Sequence, residues 1–270
     1  MELTKRIIRK LRKIKENIAI DLAYAKKKRQ FSVEKPPIFI VGCGHSGTSL
    51  LLSILDSHSN IYGIPFESEM AIKEKNMDYF IERFNRRTVV AEKKRWLEKT
   101  PKHILYIQKI MNRLPDAKFL IIQRDGRDVA VSIRERHYGF EAGVKRWIDD
   151  NKASEPFWDH PNTYLVKYED IIADFEKTLT GILNFLGEEY EEELRNYHKT
   201  PRLLYADFIK KPKSVSGDDH EMNRNWQINQ DIFDGRGKWK KKMSDKEKAF
   251  FKEKAGDLLI KYRYVKNNDW

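Results

Sequence analysis

Apolar positions along the chain fall into three kinds of pattern. Leu3, Ile7, Leu11, Ile14, Ile18, Leu22 and Ala25 recur at spacings of three and four, with lysines and arginines between them. That spacing predicts one amphipathic basic helix. Ile38 to Val41, residues 117–123 around Phe119-Leu120-Ile121-Ile122, and residues 163–167 are short runs of strand length, the first two almost wholly apolar. They predict strands, the first two buried on both sheet faces. Longer mixed stretches predict helices over 48–57, 67–98, 128–137, 170–186 (stopped by Gly187) and 244–262 (capped by Ser244). A further helix is predicted from Thr100-Pro101 to about Leu114, with Thr100 as cap and Pro101 in the first turn. Residues 200–242 are polar, broken by Gly and Pro, and poorly periodic, a connection long enough to suggest a functional segment.

Strands alternating with helices predict an α/β fold with a parallel central sheet flanked by helices. Ligands of such sheets bind beyond the carboxyl ends of the strands. Those ends are Gly42, Gln123-Arg124 and Lys167-Tyr168, each followed by polar or glycine-rich sequence. Pro36-Pro37 divides the chain into a basic N-terminal helix or arm, 1–35, and an α/β domain, 36–270.

Charge changes the picture of the arm. The net charge is +12, but residues 1–30 hold eleven Lys/Arg against three Asp/Glu, and the other 240 residues carry only +4. The arm therefore reads either as a helix packed on the domain with a solvated charged face, or as a surface for an anionic membrane or a partner. Nucleic acid is disfavoured, since no aromatic residue interleaves the basic run before Tyr24. One cysteine, Cys43, excludes an internal disulfide. No apolar run approaches the roughly 18 residues of a membrane span, and the N-terminus lacks the apolar centre of a signal peptide. The expected location is cytoplasmic, with peripheral membrane attachment left open.

The richest chemistry follows the first strand. Gly42-Cys43-Gly44-His45-Ser46-Gly47-Thr48-Ser49 joins a strand to a helix, so its backbone N–H groups and helix dipole form an anion cradle. Gly42 and Gly47 have the spacing of a nucleotide-triphosphate loop, but Thr48 stands where that loop has lysine. Arg124-Asp125-Gly126-Arg127-Asp128 with Ser132 places an arginine fork and a hydroxyl at a second strand end, as a phosphate requires. Glu98-Lys99-Thr100-Pro101 sets a cation beside a helix start. Gly235-Arg236-Gly237-Lys238-Trp239 combines glycines, cations and an aromatic in a loop able to close over a nucleotide.

Together these segments, in this order over residues 36–262, resemble the PAPS-dependent sulfotransferases, in the branch holding protein-tyrosine and bacterial enzymes. PAPS is 3′-phosphoadenosine 5′-phosphosulfate. The resemblance implies that Gly44, His45, Ser46, Gly47, Thr48 and Ser49 cradle the 5′-phosphosulfate. It assigns the 3′-phosphate to Arg124 and Ser132, with Arg136 one turn further. Tyr168 of Lys167-Tyr168-Glu169-Asp170, with Arg236, Lys238 and Trp239, would complete the donor pocket. No metal is implied, and the missing loop lysine becomes a mark of this donor. Glu67 aligns with the general base, with Glu69 as rival, and Lys99 with a transition-state cation. His45 stands where many relatives carry Lys or Arg. Its ordinary pKa of about 6.5 leaves three roles open: cation, neutral donor, or a group acting on the acceptor.

The resemblance thus implies in-line transfer of a sulfuryl group to a hydroxyl or amine. The acceptor is unidentified; Phe66, Tyr138, Phe157 and Trp158 are candidates to line its pocket. A P-loop kinase-like phosphotransferase is the enzymatic alternative, weakened because Arg124 follows Ile121-Ile122-Gln123 where a metal-holding acid would stand. A non-catalytic basic adaptor for membrane or nucleic acid is the other. A homodimer is left open.

Overall fold

The apolar runs become the interior of a five-stranded sheet. In chain order its strands are β1 (Ile38–Gly42), β2 (Ile61–Gly63), β3 (Arg95–Lys99), β4 (Lys118–Gln123) and β5 (Thr163–Lys167). They lie in the order β2-β3-β1-β4-β5, and every pairing is parallel. The structure, a computed structural model, describes residues 2–72, 76–136, 139–203, 209–211 and 219–270, without the side chains of 2–10, 12, 13 and 219–221. The helices are α1 (Glu2–Lys27), α2 (Thr48–Asp56), α3 (Met77–Val90), α4 (Ile107–Arg113), α5 (Gly126–Arg134) and α6 (Phe140–Ser154). They continue as α7 (Tyr168–Ala173), α8 (Phe175–Leu186), α9 (Asp219–Gln227), α10 (Trp239–Lys242) and α11 (Asp245–Lys261).

Alternation along β1 and β4 assigns the layers. Ile38, Ile40, Leu120 and Ile122 face α2 and α8 through Leu51, Leu55, Leu179 and Leu183. Phe39, Val41, Phe119 and Ile121 face α3 and α4 through Phe84, Ile107 and Ile110. Each such aliphatic contributes roughly 1.5–3 kcal/mol when fully buried, and a one-residue slip would swap the two faces, so burial fixes the register. A third cluster joins α5, α6 and α11 around Val129, Val144, Trp147 and Phe251. The chain builds β2 and β3 on one side of β1, then crosses to β4 on the other. The carboxyl end of β1 is therefore the switch point where ligands bind in such sheets.

Four expectations need correction. The helix over 67–98 shrinks to α3, whose Asn76 cap accepts from the Tyr79 N–H, and residues 95–98 are strand. β3 was hidden because Arg95, Glu98 and Lys99 are charged yet fully buried. Each is paired inside the fold: Arg95 with Glu188, Glu98 with His103, Lys99 with Glu67. The stretch 170–186 is broken at Asp174, which caps α8 by accepting from the Lys177 N–H. Residues 200–242, read as unpatterned, contain α9 and α10. The predicted helix from Thr100 opens as a tight 3-10 turn, Pro101–Tyr106, before α4, while Ser244 does cap α11, in a reciprocal box with Glu247.

Candidate active site

The loop after β1 is shaped by its glycines and by what packs on it. Gly47 has φ 94°, and a Cβ there would lie 2.6 Å from the Tyr168 ring. Only glycine both adopts this turn without cost and admits the ring. His45, although not glycine, is also left-handed at φ 71°. Two contacts hold it: its carbonyl accepts from Arg124 Nη1 at 3.1 Å, and its Nδ1 is 3.1 Å from the Ser132 hydroxyl. From Thr48 the chain enters α2, whose first turn points into a cavity of about 330 Å³.

That cavity gathers most of the residues singled out by sequence. Gly44, His45, Gly47, Thr48, Ser49, Glu67, Arg124, Ser132, Arg136, Tyr168 and Lys238 line it. Its volume is that of a small-molecule site. Arg124, Arg136, Arg146, Arg224 and Lys238 outnumber Glu67 and Asp231 on its wall, so the field favours an anionic ligand. Ser46 is fully buried below the loop, Arg236 forks onto Asp234 (2.8 Å), and neither lines the cavity. Trp239 is also outside it. Its ring centroid lies 3.9 Å from the Arg127 guanidinium, and the Trp270 ring, edge-on to Trp239, lies 4.5 Å from the same group. Arg127 additionally grips Asp125 (2.7 Å) and is buried, so this arginine and Trp239 are fixed within the third core cluster.

At one end of the cavity lies a carboxylate between two cations. Lys99 and Arg224 both donate to Glu67 Oε1, the latter at 2.7 Å, and Arg224 also reaches Ser49 Oγ at 3.3 Å. Burial pushes the Glu67 pKa up, but the charges of Lys99 and then Arg224 outweigh it and hold the carboxyl down at about 2. Behind them Glu98 is wholly buried. It accepts from the Ser68 N–H (3.1 Å), the Ser68 and Thr100 hydroxyls (2.8 and 2.5 Å), and lies 3.0 Å from His103 Nδ1. Glu98 and Lys99 are consecutive on β3 and so point to opposite faces. One anchors the 68–103 framework while the other delivers charge to the cavity. Glu69, the rival base, does not line the cavity; its N–H donates to Thr100 Oγ1 at 3.3 Å.

At the other end Arg124 acts as a clasp. Its Nη2 donates to the Gly235 carbonyl at 2.6 Å, and its guanidinium lies 4.3 Å above the Tyr168 ring. Glu169 accepts from the Asp125 N–H at 2.9 Å, which ties β5 to β4 beside the clasp. Asp128 accepts from the backbone N–H groups of Gly237 (2.8 Å) and Trp239 (3.0 Å), fastening the 235–239 loop to α5. Burial raises the Asp128 pKa, against the lowering effect of these N–H donors.

Arg224 and Arg146 were not read from the sequence. Arg224 sits on α9, inside the stretch that showed no periodicity, and Arg146 on α6, where no motif marked it. Phe66, Phe157 and Trp158 pack against the cores instead of lining the cavity, with Trp158 donating to Ser154 Oγ at 2.9 Å; Tyr138 lies outside the described residues. Among the described residues no cluster of His, Cys, Asp and Glu could hold a metal ion, and no helix is long and apolar enough to cross a membrane.

Comparison with known proteins places this geometry. Three solved structures share the fold. The sulfotransferase domain of the Synechococcus PCC 7002 olefin synthase has a TM-score of 0.58 at 16% identity, covering 87% of this chain and 97% of that one. The mouse sulfotransferase SULT7A1, solved with PAP, has 0.56 at 19% identity, covering 87% and 90%. The sulfotransferase domain from the curacin biosynthetic pathway has 0.54 at 16%, covering 84% and 98%. An uncharacterized protein of Aquifex aeolicus (strain VF5) is 25% identical over 219 residues, 65% of this chain; the aligned part is only 28% of that protein's length. Residues 66–192, which carry Glu67, Lys99, Arg124, Ser132 and Tyr168, match the family model described as "Sulfotransferase family".

Proposed function

We propose that the protein transfers a sulfuryl group from PAPS to a hydroxyl or amine acceptor, with Glu67 as general base and Lys99, Arg224 and His45 stabilising the transition state. The observation that carries this is the pairing of Glu67 with Lys99 and Arg224 at the mouth of a lysine-free phosphate loop. PAP occupies one fold neighbour, the mouse enzyme. The cation-rich wall here suits the three anionic groups of such a donor, and the cavity size suits one nucleotide.

In the transfer the acceptor oxygen or nitrogen bonds to sulfur while the bond from sulfur to the 5′-phosphate oxygen breaks. The acceptor proton passes to the Glu67 carboxylate, and negative charge collects on the leaving phosphate, where the loop N–H groups and fixed cations face it. Glu67 is a weak base while both cations grip it. An anionic donor competes for Lys99 and Arg224, and burial alone then raises the Glu67 pKa. Donor binding thereby arms the base. Arg124, Ser132 and Arg136 read the 3′-phosphate, with Lys238 alongside, and Tyr168 lines the donor pocket. Arg236 and Trp239 act from outside the cavity wall, by shaping the 235–239 loop.

The test is calorimetry with PAP and ATP, followed by radiolabelled-sulfate transfer from PAPS to a panel of phenols, sugars and tyrosine peptides with Lys99→Ala as control. PAP should bind without Mg²⁺, and transfer should collapse in the control. Tight ATP binding that requires Mg²⁺, with none for PAP, would sink the sulfotransferase reading in favour of phosphoryl transfer.

A further inference from the structure

The N-terminal helix is packed the wrong way round for a simple core helix. Its polar side meets α3. Asp21 accepts from Arg83 (2.5 Å) and Arg86 (3.0 Å), Glu16 from Arg87 (2.9 Å), and Asn17 Oδ1 from Arg83 (2.6 Å), while Arg86 lies 5.4 Å above the Tyr24 ring. The described part of the apolar stripe faces away: Leu11 is 54% exposed, Ile14 46%, Ile18 54% and Leu22 64%. An ordinary surface helix does the reverse. This correction removes the expectation that the stripe packs on the domain.

The outward half has a consistent composition. Leu11, Ile14, Ile18 and Leu22 form a line of roughly 16 Å at 1.5 Å per residue. Beside it lie exposed Lys15, Lys26 and Arg29, with Ala19 and Ala25. The two acids of this stretch, Glu16 and Asp21, stay partly exposed (51% and 42%) but are neutralised by α3 arginines, so the charge left beside the apolar line is cationic. A second copy of the helix, packed antiparallel along this line, would set the Lys15 and Lys26 flank against the same cationic flank of its partner. Nucleic acid would meet four aliphatic side chains where stacking aromatics or cations are needed. An anionic bilayer satisfies both parts, with apolar groups at the acyl boundary and cations among the headgroups.

We propose that α1 docks the protein on the surface of an anionic lipid bilayer, inserting Leu11, Ile14, Ile18 and Leu22 between headgroups contacted by Lys15, Lys26 and Arg29. This does not depend on sulfuryl transfer; it rests on the α1–α3 packing alone.

The experiment is co-sedimentation of the full chain with phosphatidylcholine vesicles, with and without phosphatidylglycerol, over a salt series. The chain should partition to phosphatidylglycerol vesicles and be released by salt. Ile18→Asp with Leu22→Asp should abolish binding, and each of Lys15→Gln and Lys26→Gln should weaken it about fivefold. Thermal melting should be unchanged in all four substitutions, because these side chains face solvent; the lysine variants keep the test valid if the double aspartate variant melts early. Three outcomes overturn the proposal: no partition to phosphatidylglycerol vesicles, equal partition to neutral vesicles that the aspartates leave intact, or a dimer in sedimentation equilibrium that the aspartates dissolve without any lipid binding.

Discussion

The Arg224 guanidinium donates to the Glu67 carboxylate at 2.7 Å, joining residues 157 positions apart in sequence. Lys99 donates to the same oxygen, and together they hold Glu67 down at about 2 despite its burial. Arg224→Gln therefore has two separable effects. Loss of one cation lets burial raise the Glu67 pKa, so an acid limb of kcat/KM should appear at higher pH than in the parent. Loss of a charge facing the developing anion should lower kcat by about 100-fold. A pH–rate profile reads both, and a reduced kcat with an unmoved acid limb would separate Arg224 from the base.

Glu67→Gln removes the proposed base without changing shape. Transfer should fall by about 10²- to 10⁴-fold, with donor affinity retained or improved because Lys99 and Arg224 are released. The same substitution has a signature in stability. A carboxyl with a depressed pKa stabilises the fold fully above its ordinary value of 4.5, and that contribution is lost as pH falls to about 2. Parent and variant should differ in denaturant midpoint at pH 7, and the difference should shrink between pH 4.5 and 2. A constant difference across that window would mean that Glu67 is not held ionised by its cations.

How much of this was legible in the chain depended on whether a residue's partner was local. β1, β4 and β5 were readable because apolar runs mark strands whatever surrounds them, and the loop after β1 because its glycines act through their own backbone. β3 was not readable: Arg95, Glu98 and Lys99 look solvated until the fold brings Glu188, His103 and Glu67 into contact with them. Arg224 failed for the same reason, since it lies in a polar stretch broken by Gly and Pro and its meaning comes from Glu67 and Ser49. The α1 stripe was seen correctly as a stripe, but its direction was set by the arginines of α3.

Glu98 supports the site without entering it. Its carboxylate accepts from Ser68 and Thr100 and faces His103, all within a fully buried pocket. Burial pushes its pKa up, but the His103 charge and these donors bring it below the ordinary carboxylate range. Glu98→Gln replaces an acceptor by an amide donor against other donors, so it should cost about 1–3 kcal/mol of stability. Chemical denaturation measures this. Because Lys99 is the next residue, kcat should fall as well, with little change in KM for the donor.

Asp128 holds the 235–239 loop through two backbone N–H groups, of Gly237 and Trp239. Asp128→Ala leaves both donors without their acceptor and frees the loop from α5. The expected result is a rise of about tenfold in the PAP dissociation constant, the size of one or two lost hydrogen bonds to a charged group, with chemistry on bound donor spared. Limited proteolysis should show new cleavage between Asp234 and Lys242 that PAP suppresses. Unchanged affinity would place the loop outside the donor site.

His45 is where backbone and side chain must both be tested. Its φ of 71° is strained for a residue with a side chain, and it is retained by Arg124 at its carbonyl and Ser132 at Nδ1. Asparagine tolerates this conformation and keeps a polar group, whereas a β-branched residue there costs about 1–3 kcal/mol. If the loop conformation presents N–H groups to the phosphosulfate, KM for PAPS should rise in the order His45→Asn, His45→Ala, His45→Val. If the imidazole also faces the sulfuryl oxygens, kcat should drop in all three, since none supplies a ring proton. An Ala variant that transfers sulfate from PAPS like the parent would remove His45 from the catalytic set, and a Val variant matching Ala would show that the left-handed turn is not what holds the donor.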